Sequence, residues 1–227
     1  MNPRPRIALI HATRIAMAPI EATATRLWPE AETISILEEG LSVDRAKTAE
    51  LTGDLARRII DLCRYAVAAR ADGVLYTCSA FGAAISRAGA EAPVPVMTPN
   101  EAMFDAALSQ GSRVAMIYTF PPAAAGMELE FHEAARRQGR EATLRSVFCD
   151  GALEAKQAGD VAAHDRLIAD CAADIEYADA IMLAQFSMAS AEEAVRRVTD
   201  ISVLSSPGAA ITEMRRRVES FGMSAKS

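Results

Sequence analysis

Three stretches of this chain occur twice, at one spacing. Ala71-Asp72-Gly73-Val74-Leu75-Tyr76 reads like Ala178-Asp179-Ala180-Ile181-Met182-Leu183, 107 residues further on. The same offset pairs Arg6-Ile7-Ala8-Leu9-Ile10 with Arg113-Val114-Ala115-Met116-Ile117. It also pairs Val94-Pro95-Val96-Met97-Thr98 with Ile201-Ser202-Val203-Leu204-Ser205. One such pair arises easily by chance; three apolar, strand-like runs at one ungapped offset do not. Self-similarity at a fixed period marks a duplicated structural unit. The chain is therefore expected to fold as two like lobes, residues 1–107 and 108–227, with the last helix of each free to cross over to the other.

Within each lobe short apolar runs alternate with stretches of helical periodicity. In lobe one the strands fall at Ile7–Ile10, Thr33–Leu37, Val74–Thr77 and Val94–Met97. The helices fall at Ala16–Trp28, stopped by Pro29, at Ala46–Arg70 and at Asn100–Leu108. Lobe two repeats the scheme with strands Val114–Ile117, Thr143–Val147, Ala180–Ala184 and Ile201–Leu204. Its helices are Ala123–Gln138, Ala162–Tyr177 and Gly208–Ser220. Strands separated by helices, without hairpin turn signals, imply parallel sheets. The fold class is α/β: two pseudo-twofold-related Rossmann-like lobes, each a parallel four-stranded sheet flanked by helices.

Composition narrows the class of function. A chain that is 51% hydrophobic and 24% charged can bury a full core. Its net charge of −6 argues against nucleic acid as a partner but leaves room for a small anion held by local donors. No run approaches the roughly 18 apolar residues of a membrane span, and Ile7–Ile10 is too short for a secretory signal. Cys63, Cys78, Cys149 and Cys171 show no metal-binding spacing. A cytoplasmic enzyme with reduced thiols is expected, with no membrane partner and with homo-oligomerisation left open.

In open parallel sheets, ligands bind beyond the carboxyl ends of the strands. That rule selects His11 and Thr13 after the first strand of lobe one, and Cys78 and Ser79 after the third. In lobe two it selects Tyr118 and Thr119, then Gln185, Phe186 and Ser187, then Ser205 and Ser206. Hydroxyls, an amide and backbone N–H groups suit a carboxylate. Cys78 is the candidate reactive group, since it ends an apolar strand and precedes a segment, Ser79–Ser86, that can begin a helix. A helix N-terminus is expected to lower the thiol pKa there. His11 is either a satisfied strand-end histidine or a substrate ligand. Cys63 and Cys171 read as packing residues on helices, Cys149 as a structural strand-end residue, and His132 and His164 as solvated. Arg215-Arg216-Arg217 reads as an exposed helix face.

These residues resemble the aspartate/glutamate racemase superfamily, which includes hydantoin racemases, maleate isomerases and arylmalonate decarboxylases. The resemblance rests on the duplicated lobes, on Ala71 to Ser79, on Ala178 to Ala184 and on Val203-Leu204-Ser205-Ser206-Pro207. It implies cofactor-independent chemistry at a cleft between the lobes. In two-cysteine members one thiolate removes a proton alpha to a carboxylate, and a thiol on the other lobe returns one to the far face. Cys78 matches the first-lobe cysteine, while its lobe-two equivalent is Gln185. The resemblance therefore implies a racemase- or isomerase-class enzyme acting on a small carboxylic acid or related amide. A one-thiol decarboxylase is the alternative, and a non-catalytic ligand-binding protein a third reading. His11 or Tyr118, symmetry mates at the same sheet edge, stand as candidates to replace the missing thiol.

Overall fold

The computed structural model describes residues 4–224. Its strands are β1 (Arg6–His11), β2 (Glu32–Leu37), β3 (Gly73–Tyr76), β4 (Val96–Met97), β5 (Arg113–Tyr118), β6 (Thr143–Phe148), β7 (Ala180–Leu183) and β8 (Ser202–Ser205). They form two four-stranded sheets, ordered β2-β1-β3-β4 and β6-β5-β7-β8, with every pairing parallel. The α/β class and the two like sheets stand as the sequence implied.

The duplication is visible in the register. Ile7 lies opposite Gly73 and Val114 opposite Ala180; Val74 lies opposite Val96 and Ile181 opposite Val203. Each pair maps onto its mate through the same offset. The second strand departs from it: Arg6 pairs with Glu32 but Arg113 with Thr143, so the connection into β6 is longer. A matching hydrogen bond from backbone amide to carboxylate closes each lobe at the start of its first strand. The Asp72 carboxylate accepts from the Arg6 amide at 2.7 Å, and that of Asp179 from the Arg113 amide at 2.9 Å.

The helices are α1 (Met17–Leu27), α2 (Gly40–Arg45), α3 (Gly53–Ala68), α4 (Gly82–Glu91), α5 (Glu101–Gln110), α6 (Pro121–Arg137), α7 (Ala152–Gln157), α8 (Val161–Ala173), α9 (Glu192–Arg196) and α10 (Ser206–Ser224). The long helix expected over Ala46–Arg70 is shorter. The Thr52 hydroxyl caps α3 by accepting from the Leu55 amide at 3.3 Å, and residues 46–52 form a connection instead. An N-cap hydroxyl satisfies one of the free first-turn amides, so the helix starts there. From that cap Leu55, Ile59, Ile60, Cys63 and Ala66 fall on one buried face. Likewise the helix expected to reach Tyr177 ends at Ala173.

Side chains alternate across both sheets, as a two-residue period demands. Ala8, Ile10, Val74 and Tyr76 face α3 and α4, while Ile7, Leu9, Leu75 and Met97 face α1 and α10. In the second sheet Ala115, Ile117, Ile181 and Leu183 face α8 and α9. Val114, Met116, Ala180 and Met182 join the cluster that holds Met103 and Phe104 of α5 and Phe131 of α6. The two helices that end the half-chains therefore trade places. α5 packs on β7 and β8, and α10 packs on β3 and α1. A Cβ on Gly73 would meet the side chains of Met214 and Val218, which shows how tightly α10 lies on β3.

The arginine run on α10 is largely paired outward, Arg215 with Glu219 and Arg216 with Glu213. Arg217 departs from the expected exposed face, because it reaches Glu101 on α5 at 3.1 Å and is half-buried. Among the described residues no helix is long and apolar enough to cross a membrane.

Candidate active site

Cys78 and Gln185 occupy equivalent corners. Each leaves its sheet by an amide bond back to the neighbouring strand: Thr77 N donates to Ile10 O at 2.9 Å, and Ala184 N to Ile117 O at 3.0 Å. Cys78 then takes an extended conformation (φ −116°, ψ 122°) and Gln185 nearly the same one (φ −113°, ψ 147°). Each is followed by a 3-10 turn, Ser79–Phe81 in one lobe and Phe186–Ala191 in the other.

The two corners line one enclosed cavity of about 70 Å³. Of the residues expected from the sequence, it brings together Cys78, Thr13, Ser79, Thr119, Gln185, Phe186 and Ser187. Ser42, Leu153 and Gln157 were not foreseen. They come from α2 and α7, two six-residue helices that follow β2 and β6 and roof the cleft from the two sides. No charged side chain lines the cavity among the described residues.

Four expected ligands lie elsewhere. His11 is fully buried behind Thr77, because the last residue of β1 turns its side chain away from the cleft. Its Nδ1 lies 2.9 Å from Thr77 Oγ1 and its Nε2 3.3 Å from Ser35 Oγ, which donates to Glu21 at 2.5 Å. One proton arrangement satisfies all three contacts. Thr77 donates to Nδ1 in preference to the Ile10 carbonyl, the longer of its two contacts at 3.3 Å, Nε2–H donates to Ser35, and Ser35 donates to Glu21. Burial holds the His11 pKa down to about 4, against a smaller upward pull from Glu21. Tyr118, its mate in lobe two, stacks on Phe148 with ring centroids 5.4 Å apart. Ser205 donates to Glu192 at 2.6 Å and lines a separate surface depression of about 700 Å³. Ser206 is fully buried and donates to Asn100 Oδ1 at 2.8 Å.

His164 is also fully buried rather than solvated. Its Nδ1 lies 2.8 Å from the Ala152 carbonyl, so it pins the first residue of α7 over the cleft. Desolvation lowers its pKa, which favours the neutral ring.

The electrostatics of Cys78 run opposite to expectation. The Ala80 amide and the Arg45 guanidinium both favour its thiolate, but burial outweighs them and pushes the thiol up to about 11. A single 3-10 turn lacks the aligned dipoles of a full helix, so it offsets little of the desolvation. Gln185 is fixed across the cavity. Its Oε1 accepts from the Thr119 amide at 3.0 Å and lies 3.3 Å from the Thr119 hydroxyl, which leaves the buried Nε2 without a partner. A buried donor left unpaired is costly, so Nε2 keeps hydrogen-bonding capacity that the protein itself does not use.

Arg45 is a further residue that sequence reasoning passed over. Its side chain is buried and donates to three carbonyls: Ala80 at 3.3 Å, Thr48 at 2.8 Å and Pro122 at 2.6 Å. It ties the turn after Cys78 to the start of α6 in the other lobe.

The remaining cysteines pack. Cys63 is buried in the core against α4, and burial raises its pKa. Cys149 is buried just beyond β6 next to Cys171, its thiol pushed up to about 12 first by desolvation and then by that neighbour.

Two parallel sheets joined through exchanged helices, with a cysteine corner and its symmetry mate on one cavity, form a fold shared with solved racemases and with arylmalonate decarboxylase. Glutamate racemase isoform RacE1 from Bacillus anthracis superposes with a TM-score of 0.80 at 11% identity, over 97% of this chain and 84% of that one. Allantoin racemase from Klebsiella pneumoniae gives 0.72 at 17% identity, over 95% and 88%. A mutant of arylmalonate decarboxylase in a sulfate-associated form gives 0.66 at 19% identity, over 95% and 94%. No protein-family model and no curated protein matches the sequence.

Proposed function

We propose that this protein is a cofactor-independent racemase- or isomerase-class enzyme acting on a small carboxylic acid or related amide, with Cys78 as its acid–base group. The observation that carries this reading is the shared cavity: a thiol on one wall and, on the other, Gln185, whose buried Nε2 has no protein partner. The thiolate removes the proton alpha to the carbonyl. Negative charge then moves to the carbonyl oxygen, where Gln185 Nε2 and the hydroxyls of Ser79 and Ser187 stabilise it. The uncharged lining speaks against free α-amino acids, since no carboxylate stands ready to hold an ammonium group. The cavity is small, which suits a substrate of few heavy atoms, and Ser42 of α2 and Leu153 and Gln157 of α7 bound its size.

One observation favours a second reading. A thiol raised to about 11 is protonated at neutral pH, which suits a proton donor better than a base. In a one-thiol decarboxylase, loss of carbon dioxide leaves the electron pair on carbon and Cys78 protonates it. Incubation with a panel of acids and cyclic amides in deuterated water separates the two. Deuterium exchange accompanied by isomerisation of the acid, without gas, supports the isomerase, carbon dioxide release supports the lyase, and neither across the panel overturns both.

A further inference from the structure

Arg45 is a buried cation without a buried anion. Its three hydrogen bonds go to the carbonyls of Ala80, Thr48 and Pro122, and among the described residues no carboxylate lies within ion-pair distance. Its sequence neighbour Asp44 is committed to Arg58 at 2.8 Å and Lys47 at 3.1 Å. Across the lobe boundary Glu130 of α6 lies against Gly82, past the turn that Arg45 holds. Carbonyl dipoles solvate a guanidinium but do not neutralise it, and an uncompensated charge in a low-dielectric site is costly. The group that would gain from this charge sits in the same turn. Cys78 precedes the Ala80 carbonyl that Arg45 holds, and the Arg45 charge favours the thiolate.

We propose that Arg45 is the positioning residue of Cys78: its guanidinium fixes the turn that carries the thiol and supplies the countercharge for the thiolate. This rests on the reading that Cys78 works through its ionised form, and it adds a link between lobe closure and reactivity. The bond to Pro122 forms only when α6 of the second lobe is in place, so the countercharge is anchored where the closed cleft needs it.

The test reads the thiol directly and needs no substrate. Alkylation of Cys78 by iodoacetamide is followed by peptide mapping from pH 7 to 10 in the wild type and in Arg45→Gln, Arg45→Lys and Arg58→Gln. Rate follows the thiolate fraction, so one unit of pKa is a tenfold change at fixed pH below the pKa. Arg45→Gln, which can still donate to carbonyls, is expected to react about tenfold more slowly at pH 8.5. Arg58→Gln, which removes a charge paired elsewhere, should match the wild type. Unchanged or faster alkylation in a folded Arg45→Gln protein overturns the proposal. If Arg45→Gln does not fold, Arg45→Lys decides. It keeps the charge and loses the fork, so the rate–pH curve should stay within threefold of wild type while Tm falls. A tenfold loss in Arg45→Lys overturns the countercharge role. Full turnover by Cys78→Ser would instead sink the reading of Cys78 as the acid–base group and leave the alkylation result standing.

Discussion

Thr119 holds Gln185 twice, through its amide at 3.0 Å and its hydroxyl at 3.3 Å, and both contacts fall on the same oxygen. The amide group cannot flip without placing its NH₂ against a backbone N–H. Gln185 is therefore held with its oxygen on Thr119 and its NH₂ as a donor free of protein partners, with no proton to exchange near neutral pH. The wild type is expected to exchange an α-proton on one face only, so deuterium enters faster than optical rotation is lost. Gln185→Cys should add a thiol to the second face and bring the two rates together. Racemisation by the wild type as fast as its isotope exchange would show that another group serves the second face.

Cys78 carries the only titrating side chain on the described cavity wall. Cys78→Ser and Cys78→Ala should each lower turnover about 10³-fold, in line with the loss of a positioned acid–base group. Deuterium exchange on the substrate found in the acid panel measures this. Loss of less than tenfold would place the proton transfer elsewhere.

His11 gives the fold a dependence on mild acid. Its pKa is about 4 in the folded chain, against 6.5 for an ordinary histidine, so the unfolded chain binds more protons between these limits. Stability is then fully present above pH 6.5 and falls as pH drops toward 4, by about 3 kcal/mol from this group. His11→Asn keeps a polar partner for Thr77 and removes the titration. Urea denaturation at pH 7 and pH 4 should show a smaller difference in the variant. An equal difference would mean that His11 is hydrated in the folded protein.

Glu130 acts in the opposite sense. Burial, then Glu101 and Glu133, raise its carboxyl to about 8 against Arg137, and its Oε1 is buried without a partner beside Gly82. A raised folded pKa means stability present below pH 4.5 and lost as pH climbs through 8. Glu130→Gln should therefore be no less stable than wild type at pH 9, where the wild type has lost ground relative to pH 5. Thermal melts at both values check it. Gly82→Ala should destabilise, because its new methyl meets the Glu130 carboxylate, and Glu130→Ala should relieve that cost. Additive effects in the double variant would dissociate the two residues.

Repetition made the sheets legible. Short apolar strands, three of them repeated at one offset, implied two like sheets, parallel pairing and the corner that joins Cys78 to Gln185, while the strand order came only with the structure. The site was legible only as far as strand ends could carry it. His11 and Tyr118 end their strands, yet the pleat turns both side chains away from the cleft, and one residue decides that direction. Ser205 and Ser206 fail for another reason: on the edge strand β8 Ser205 opens on a depression away from the cavity, and Ser206, at the start of α10, is buried against Asn100. Ser42, Arg45, Leu153 and Gln157 lie on six-residue helices, too short to show a period. One signal was available and unused: Thr52 followed by Gly53 and Asp54 marks a helix start, and it would have freed residues 40–51 to form an element of their own.

The exchange of α5 and α10 also sets an order of events during synthesis. The face of the first sheet formed by Ile7, Leu9, Leu75 and Met97 is shared by α1 and α10, and α10 follows all eight strands in chain order. On the ribosome, therefore, the first half emerges with its strands complete and that apolar face covered by α1 alone, and keeps it so until α10 has been made. The half-chain 1–107 made alone should be prone to self-association through it. Cutting between the halves should yield two fragments that become soluble only when they are made together.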